Sequence, residues 1–545
     1  MSQQPEYLEQ GGGGPLPPTS GGRRKPLLLA GAGVAALAVA GGAAAAAVWY
    51  FADGAQSAEA FPADSIGYVG VTLDPSGQQK LEALETLQKF PALSDELGLD
   101  GDLRDIDVKE RLAELVLEDA PCEGLTYADD LEPWLGDRVG VALVMVDGAP
   151  QPVGALEVTD ADAAESGVET LLACGADSSS ETEDGAFQVD GGWLMLADSQ
   201  EVLDEVADRK ADGTLDGDDD FQDWTGRAGG EGVVTMYAAP EAGQVLLDQV
   251  AAEVAGELSG ELGSELGGGS LYGSEEELDQ LDEIFADFEG AAMTLRFVDG
   301  ALEVQGGAGL DYDLGAAFGG QVGEAVSALP AGTALAYGAG LGEGWFDALV
   351  DYAADAEGLD PDDLTDELEL TTGLTGEDLE AAAGDHLVLA VGGDIDLDDL
   401  ASADLGGVPL ALLLGGGEDD VQLLVDALAP VLGPFTSLVG TSDGDNGTAV
   451  GPDGSFRDGV AGEEGETLGD SERFGAVVPD ADDASVVVYL DLDALDEVVE
   501  EFLTAVARPD EAATVLENLA PLSAFGGTSS YDDGTFTMRY RLATD

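Results

Sequence analysis

Positive charge is what this chain lacks. Lys and Arg number 18 against 113 Asp and Glu, a formal net charge of −95, and no lysine follows Lys210. A surface this negative repels phosphate backbones, so nucleic acid is excluded as a partner. Histidine is nearly absent as well. His386 is the only one, so no multi-histidine metal site can be built, and a serine or cysteine triad would have to use it. No Gly-Lys dipeptide occurs, hence no P-loop, and no strand-Gly-x-Gly-x-x-Gly-helix unit is found. No cofactor is therefore implied.

Cysteine is limited to Cys122 and Cys174. An oxidising exterior permits a bridge between them, and closing a loop of that length stabilises by about 4 kcal/mol in the chain-entropy model. We expect this disulfide.

Apolar residues are nonetheless plentiful, and one uncharged stretch runs from Leu27 to Ala52. As a helix rising about 1.5 Å per residue it would be roughly 39 Å long, enough to cross a hydrocarbon core of about 30 Å. Arg23, Arg24 and Lys25 precede it, and Trp49 and Tyr50 close its far end. Basic residues stay on the cytoplasmic side and amphipathic aromatics favour the headgroup layer. The expectation is a single-pass protein of the cell membrane, in contact with the lipid bilayer through 27–52. Its N-terminus would be cytoplasmic and its C-terminal ectodomain extracytoplasmic. A cleaved signal peptide is disfavoured, because its apolar region would run only about 7–15 residues. Residues 1–26, rich in Gln, Gly and Pro, read as a disordered cytoplasmic tail.

Beyond Phe61 the sequence repeats itself. Phe61-Pro62-Ala63-Asp64-Ser65-Ile66-Gly67-Tyr68 returns as Leu329-Pro330-Ala331-Gly332-Thr333-Ala334-Leu335-Ala336-Tyr337. Trp134-Leu135-Gly136-Asp137-Arg138 before an apolar run is answered by Gly384-Asp385-His386, and Gly232–Tyr237 by Ser485–Tyr489. Each half ends in a hairpin pattern, with turns at Asp299-Gly300 and Asp533-Gly534; Asp-Gly favours such turns because both positions tolerate positive φ. Two related exported units follow, 61–313 and 325–545. The predicted fold is α+β: a transmembrane helix, then two units of largely antiparallel sheet, each with helices on one face. Helices are expected over Val245–Leu258 and Leu495–Val506, and Gly260–Gly273 and Gly440–Gly469 read as mobile surface loops.

These residues carry a resemblance. The opening Pro62 to Val69, then Leu73–Ser76, Lys89–Pro91 and Trp134–Arg138 resemble the exported domain called domain of unknown function 3352. That family, typical of actinobacteria, implies a Gly/Pro-rich tail, a single span and a large exported part. It has no established activity and supplies no catalytic residues. The likeness covers the first unit well and the second loosely, where Trp134 has no clear counterpart and His386 replaces Arg138.

The chemistry-bearing patterns are weak. Gly440–Gly444 matches the G-x-S-x-G nucleophile elbow, but that motif needs a buried strand before it and a helix after it, and Pro and Gly break the preceding segment. Acid clusters at Asp216–Asp220, Asp394–Asp399 and Asp443/Asp445 fail the EF-hand spacing, which needs Gly at position six and Glu at twelve. The expected function is a non-catalytic binding or scaffold ectodomain. The alternatives are a carrier of an apolar lipid or peptide ligand and a carboxylate-based envelope hydrolase, neither with a named site residue.

Overall fold

The computed structural model describes residues 57–72, 78–91, 94, 109–111, 113, 125–176, 185–230, 232–245, 288–309, 315, 317–357, 359–395, 405–432, 439–462, 465–506, 509–532 and 534–545. The first half supplies strands β1 (Gly67–Thr72), β2 (Leu135–Val146), β3 (Ala149–Val158), β4 (Ala186–Asp190), β5 (Trp193–Ala197), β6 (Val234–Ala238), β7 (Gly290–Val298) and β8 (Ala301–Gly309). The second half supplies β9 (Thr333–Gly340), β10 (His386–Gly392), β11 (Leu410–Leu414), β12 (Gly440–Gly444), β13 (Gly447–Gly451), β14 (Val486–Asp491), β15 (Leu522–Asp532) and β16 (Thr535–Thr544).

Local chemistry places the hairpins. Asp147 and Gly148 between β2 and β3 have φ of 53° and 80°, and Asp299 and Gly300 between β7 and β8 have 53° and 79°. Two successive positive φ values match the right-handed twist of the flanking strands. In β1 exposure alternates residue by residue, so one side of the strand meets a core.

All strands join one antiparallel sheet, in the order β12-β13-β11-β10-β9-β14-β15-β16-β8-β7-β6-β1-β2-β3-β5-β4. Read outward from the β16–β8 pair, the two halves have the same strand order. Finer detail repeats too. Isolated bridges join Pro62 to Thr214 and Pro330 to Thr467. Asp218 caps the helix Asp219–Arg227, and Ser471 caps Glu472–Val477 at the matching place. Phe221 meets Tyr237 edge-on at 5.1 Å between centroids, and Phe474 meets Tyr489 at 5.2 Å. Five residues past the turn glycines Gly300 and Gly534 lie Gln305 and Arg539, and these two face each other across β8 and β16. A residue paired with its own equivalent marks a pseudo-two-fold axis.

Four expectations need correcting. The halves are not separate sheets with a boundary between them; β8 and β16 pair over nine register positions, from Gly309–Thr535 to Ala301–Ala543. That pairing satisfies two edges that would otherwise expose unpaired backbone groups. Helices do not keep to one face either. One face carries two cores, centred on Phe61, Tyr68, Leu215 and Phe221 in the first half and on Leu329, Leu413, Leu468 and Tyr489 in the second. The opposite, outer face is covered in part by the helices Ala161–Ala176 and Glu418–Leu432 through smaller clusters. This follows from strands apolar on both sides, such as Leu410–Leu414, whose outer-face Leu414 packs under the helix Glu418–Leu432. Third, among the described residues no helix is long and apolar enough to cross a membrane. The expected span Leu27–Ala52 lies outside them, as do most of Val245–Leu258 and all of Gly260–Gly273.

The Gly440–Gly469 stretch is also not one loop. It forms β12, β13, the helix Gly454–Val460 and a short turn of helix at Leu468–Asp470. Its glycines answer to packing: a Cβ on Gly444 would fall 2.0 Å from the Ala461 carbonyl oxygen, and one on Gly451 2.2 Å from that of Leu410.

Candidate functional site

Of the residues singled out from the sequence, Arg23, Arg24, Lys25, Trp49, Tyr50 and Cys122 lie outside the described residues. Cys174 falls in the helix Ala161–Ala176. The Gly440–Gly444 match sits on edge strand β12, hairpinned to β13 rather than leading into a helix. Its Ser442 hydroxyl donates to Asp458 and accepts from Arg457 Nε at 2.9 Å. Asp443 accepts from the Thr448 hydroxyl at 3.1 Å and Asp218 caps a helix, so these acids serve local structure. Among the described residues no group of three His, Cys, Asp or Glu converges as metal ligands would.

Arg138, last residue of the Trp-Leu-Gly-Asp-Arg motif, makes a two-pronged pair with Glu157 across β2 and β3. Its Nη2 lies 2.5 Å from Oε1 and its Nε 3.0 Å from Oε2. The guanidinium also sits 5.1 Å above the Trp193 ring and 3.5 Å from Glu59. The hydrogen bond from Arg138 holds the Glu157 carboxyl below its ordinary value, against the opposing effect of burial. Gly136 is required here, because a Cβ would come 2.5 Å from Glu157 Cγ. In the second half the partner position is Gly415, whose amide donates to the His386 carbonyl. His386 therefore has no carboxylate opposite it. Its Nδ1 lies 2.7 Å from Asp385 Oδ1, and its Nε2 is buried without a partner.

A second charged cluster lies on the pseudo-two-fold seam. Glu303 of β8 is almost fully buried and accepts from Arg296 Nε at 2.6 Å and Arg541 Nε at 2.7 Å, with Arg539 Nε at 4.0 Å. Burial raises its pKa, but the hydrogen bonds from Arg541 and Arg296 win and hold the carboxyl below the ordinary range. Arg296 also donates to the Gly229 carbonyl, and Arg541 to that of Ala476. The cluster thus ties the two halves together through saturated contacts and offers no open position to a ligand.

The outer face is different. Along it, Leu389 of β10 pairs with Tyr337 of β9 on one side and Leu412 of β11 on the other. Two residues along, Val391 pairs with Leu335 and Leu410, and Val488 and Leu490 of β14 extend both rows. The helix Glu418–Leu432 covers the neighbouring Leu387, Leu414 and Val450 through Val421, Leu424 and Val425. It leaves Tyr337 50%, Leu412 40%, Leu389 39% and Leu410 38% exposed. Single exposed apolar residues are ordinary, but cross-strand neighbours form a contiguous patch. No Lys or Arg occurs between Arg296 and Arg457, so the strands β9 to β11 and the helix beside them belong to a stretch whose charged side chains, His386 aside, are all acidic. Sequence inspection missed this patch. Its signal was the lack of polar alternation in Leu387–Val391 and Leu410–Leu414.

No family model, no curated protein and no solved structure matches this chain. The resemblance noted above thus stands on its quoted motifs alone.

Proposed function

We propose that this chain is a non-catalytic, extracytoplasmic binding and scaffold protein whose docking surface is the outer face of β9 to β11. One observation carries the reading: the solvent-facing row Tyr337–Leu389–Leu412 with Leu410 beside it. A protein so strongly charged elsewhere keeps an open apolar patch on three adjacent, doubly paired strands of its sheet, and such patches mark interaction sites. The setting outside the cytoplasm carries over from the basic residues that precede Leu27–Ala52.

The test is binding of the neutral apolar dye Nile red to the full chain, compared with a Leu389→Thr/Leu412→Thr double variant. Threonine keeps β propensity, so folding by circular dichroism should be unchanged while bound-dye fluorescence falls severalfold. Equal dye binding by both proteins would refute the reading.

A further inference from the structure

Resting on that docking surface, we infer that its occupant is a cationic amphipathic helix presented by a partner protein. Three independent features of the patch lead there.

The first is hydrogen bonding. β9, β10 and β11 each have a neighbour on both sides, β14 and β10, β9 and β11, β10 and β13 respectively. Their backbone groups are engaged, so no added strand can pair with them. A segment lying on the face must satisfy its own N–H and C=O groups internally, which a helix does and an extended peptide does not.

The second is how this face is already covered. The helix Glu418–Leu432 packs on the adjoining part of the same surface, with Val421, Leu424 and Val425 spaced one, three and four apart over Leu387, Leu414 and Val450. The open patch continues that surface. At about 4.8 Å between strands, three strands span roughly 10 Å. Apolar residues at i, i+3, i+4 and i+7 of a helix span about 10.5 Å along its axis, so two turns fit the patch without overhang.

The third is charge. Every ionisable side chain between Arg296 and Arg457 is acidic or tyrosine, apart from His386. Glu418, Asp419, Asp420 and Asp426 line the neighbouring helix. A partner helix therefore gains from Lys or Arg flanking its apolar stripe and is repelled if it carries Glu or Asp. The same argument disfavours a second copy of this chain, whose net charge is −95.

The experiment uses three synthetic 18-residue peptides with the full chain: a Leu/Lys amphipathic helix, its Leu/Glu counterpart, and a scrambled Leu/Lys peptide of identical composition. Isothermal titration should show one-to-one binding of the amphipathic Leu/Lys peptide. Affinity should fall at least about tenfold in the Leu389→Thr/Leu412→Thr variant, as expected for two lost apolar anchors. Raising NaCl from 0.05 to 0.5 M should weaken that binding and abolish any binding of the scrambled peptide. Equal binding of the scrambled peptide, or equal binding by the double variant, overturns the inference by reducing it to bulk charge attraction. Tighter binding of the Leu/Glu peptide overturns the charge assignment. A salt-stable dimer that the double variant dissolves names a second copy as occupant; that overturns this inference and leaves the docking surface standing. Nile red binding without any peptide binding does the same, whereas loss of both refutes the docking surface itself.

Discussion

Removing the charge of Glu303 should loosen the centre of the sheet more than any other single carboxylate change among the described residues. The Glu303 side chain is 4% exposed and the Arg296 and Arg541 side chains 13% each. Deleting one member of a buried charged cluster leaves the others without compensation, at a typical cost of about 3–5 kcal/mol. Glu303→Ala falls in that range. Glu303→Gln keeps the shape and one acceptor oxygen but leaves three arginines facing a neutral group, and should cost about 2–4 kcal/mol. Urea unfolding followed by tryptophan fluorescence suits the measurement, since urea does not screen charge and Trp224 packs near Gly307 and Gly309 on the same strand. The pH dependence tests the cause. The carboxyl is held below its ordinary value in the folded protein, so its contribution is complete above the unfolded pKa of about 4.3 and is lost as pH falls through the lower folded value. The wild-type advantage over Glu303→Gln should be level from pH 8 to 5 and shrink below about pH 4. A difference under about 0.5 kcal/mol at pH 7, or one that grows on acidification, would refute the reasoning.

Gly136→Ala should destabilise by about 1–3 kcal/mol, because its Cβ would meet Glu157 and displace the Arg138 pair; equal urea midpoints would show that Glu157 gives way freely. Melting temperature should rise as salt goes from 0.01 to 1 M, where the Debye length falls from about 30 to about 3 Å, since repulsion among the acids opposes folding; a flat or falling profile would contradict this. Non-reducing peptide mapping should recover Cys122 linked to Cys174, and quantitative alkylation without reductant would rule the bridge out.

Much of the strand pattern was legible because its chemistry is local. Asp299-Gly300 announces a hairpin by itself, and the apolar, β-branched runs Gly232–Tyr237 and Ser485–Tyr489 answer each other in the two halves. The repeated openings at Phe61 and Leu329 point to the same internal pairing, later visible as the Pro62–Thr214 and Pro330–Thr467 bridges. The union of the halves was not legible, since edge pairing between β8 and β16 depends on two strands far apart in sequence and leaves no periodic mark. A trace existed in Arg539 and Arg541, which alternate with Tyr540 and Leu542; charges on a face expected to be buried call for a partner such as Glu303. Glycine misled in the other direction. Gly444, Gly447 and Gly451 suggested a loop, yet each sits where a neighbouring carbonyl leaves no room for a side chain. Small residues elsewhere in the strands also answer to close packing: a Cβ on Gly338 would fall 2.5 Å from Val326 and 3.0 Å from Val322, and one on Gly309 3.0 Å from Trp224. The apolar patch escaped notice because a run such as Leu410–Leu414 looks the same whether its second face is covered or open.

The seam also makes a prediction about the chain as two pieces. Nine register pairs join β8 to β16, and the ion pairs from Arg541 and Arg539 to Glu303 cross the same line. Arg227 Nη1 reaches the Thr535 hydroxyl at 3.4 Å, and Lys89 Nζ reaches Thr544 Oγ1 at 2.8 Å. None of these contacts depends on the covalent connection between the halves, and each half keeps its own core. Residues 57–315 and 316–545, co-expressed as separate chains, should therefore assemble one-to-one and co-purify. Glu303→Ala in the first piece should weaken that assembly far more than Gly136→Ala, which lies four strands from the seam. Expressed alone, each piece exposes a long edge strand and should self-associate through it. Two pieces that purify separately as stable monomers would mean that the edge pairing contributes little, and that the halves are held together by their linker rather than by the sheet.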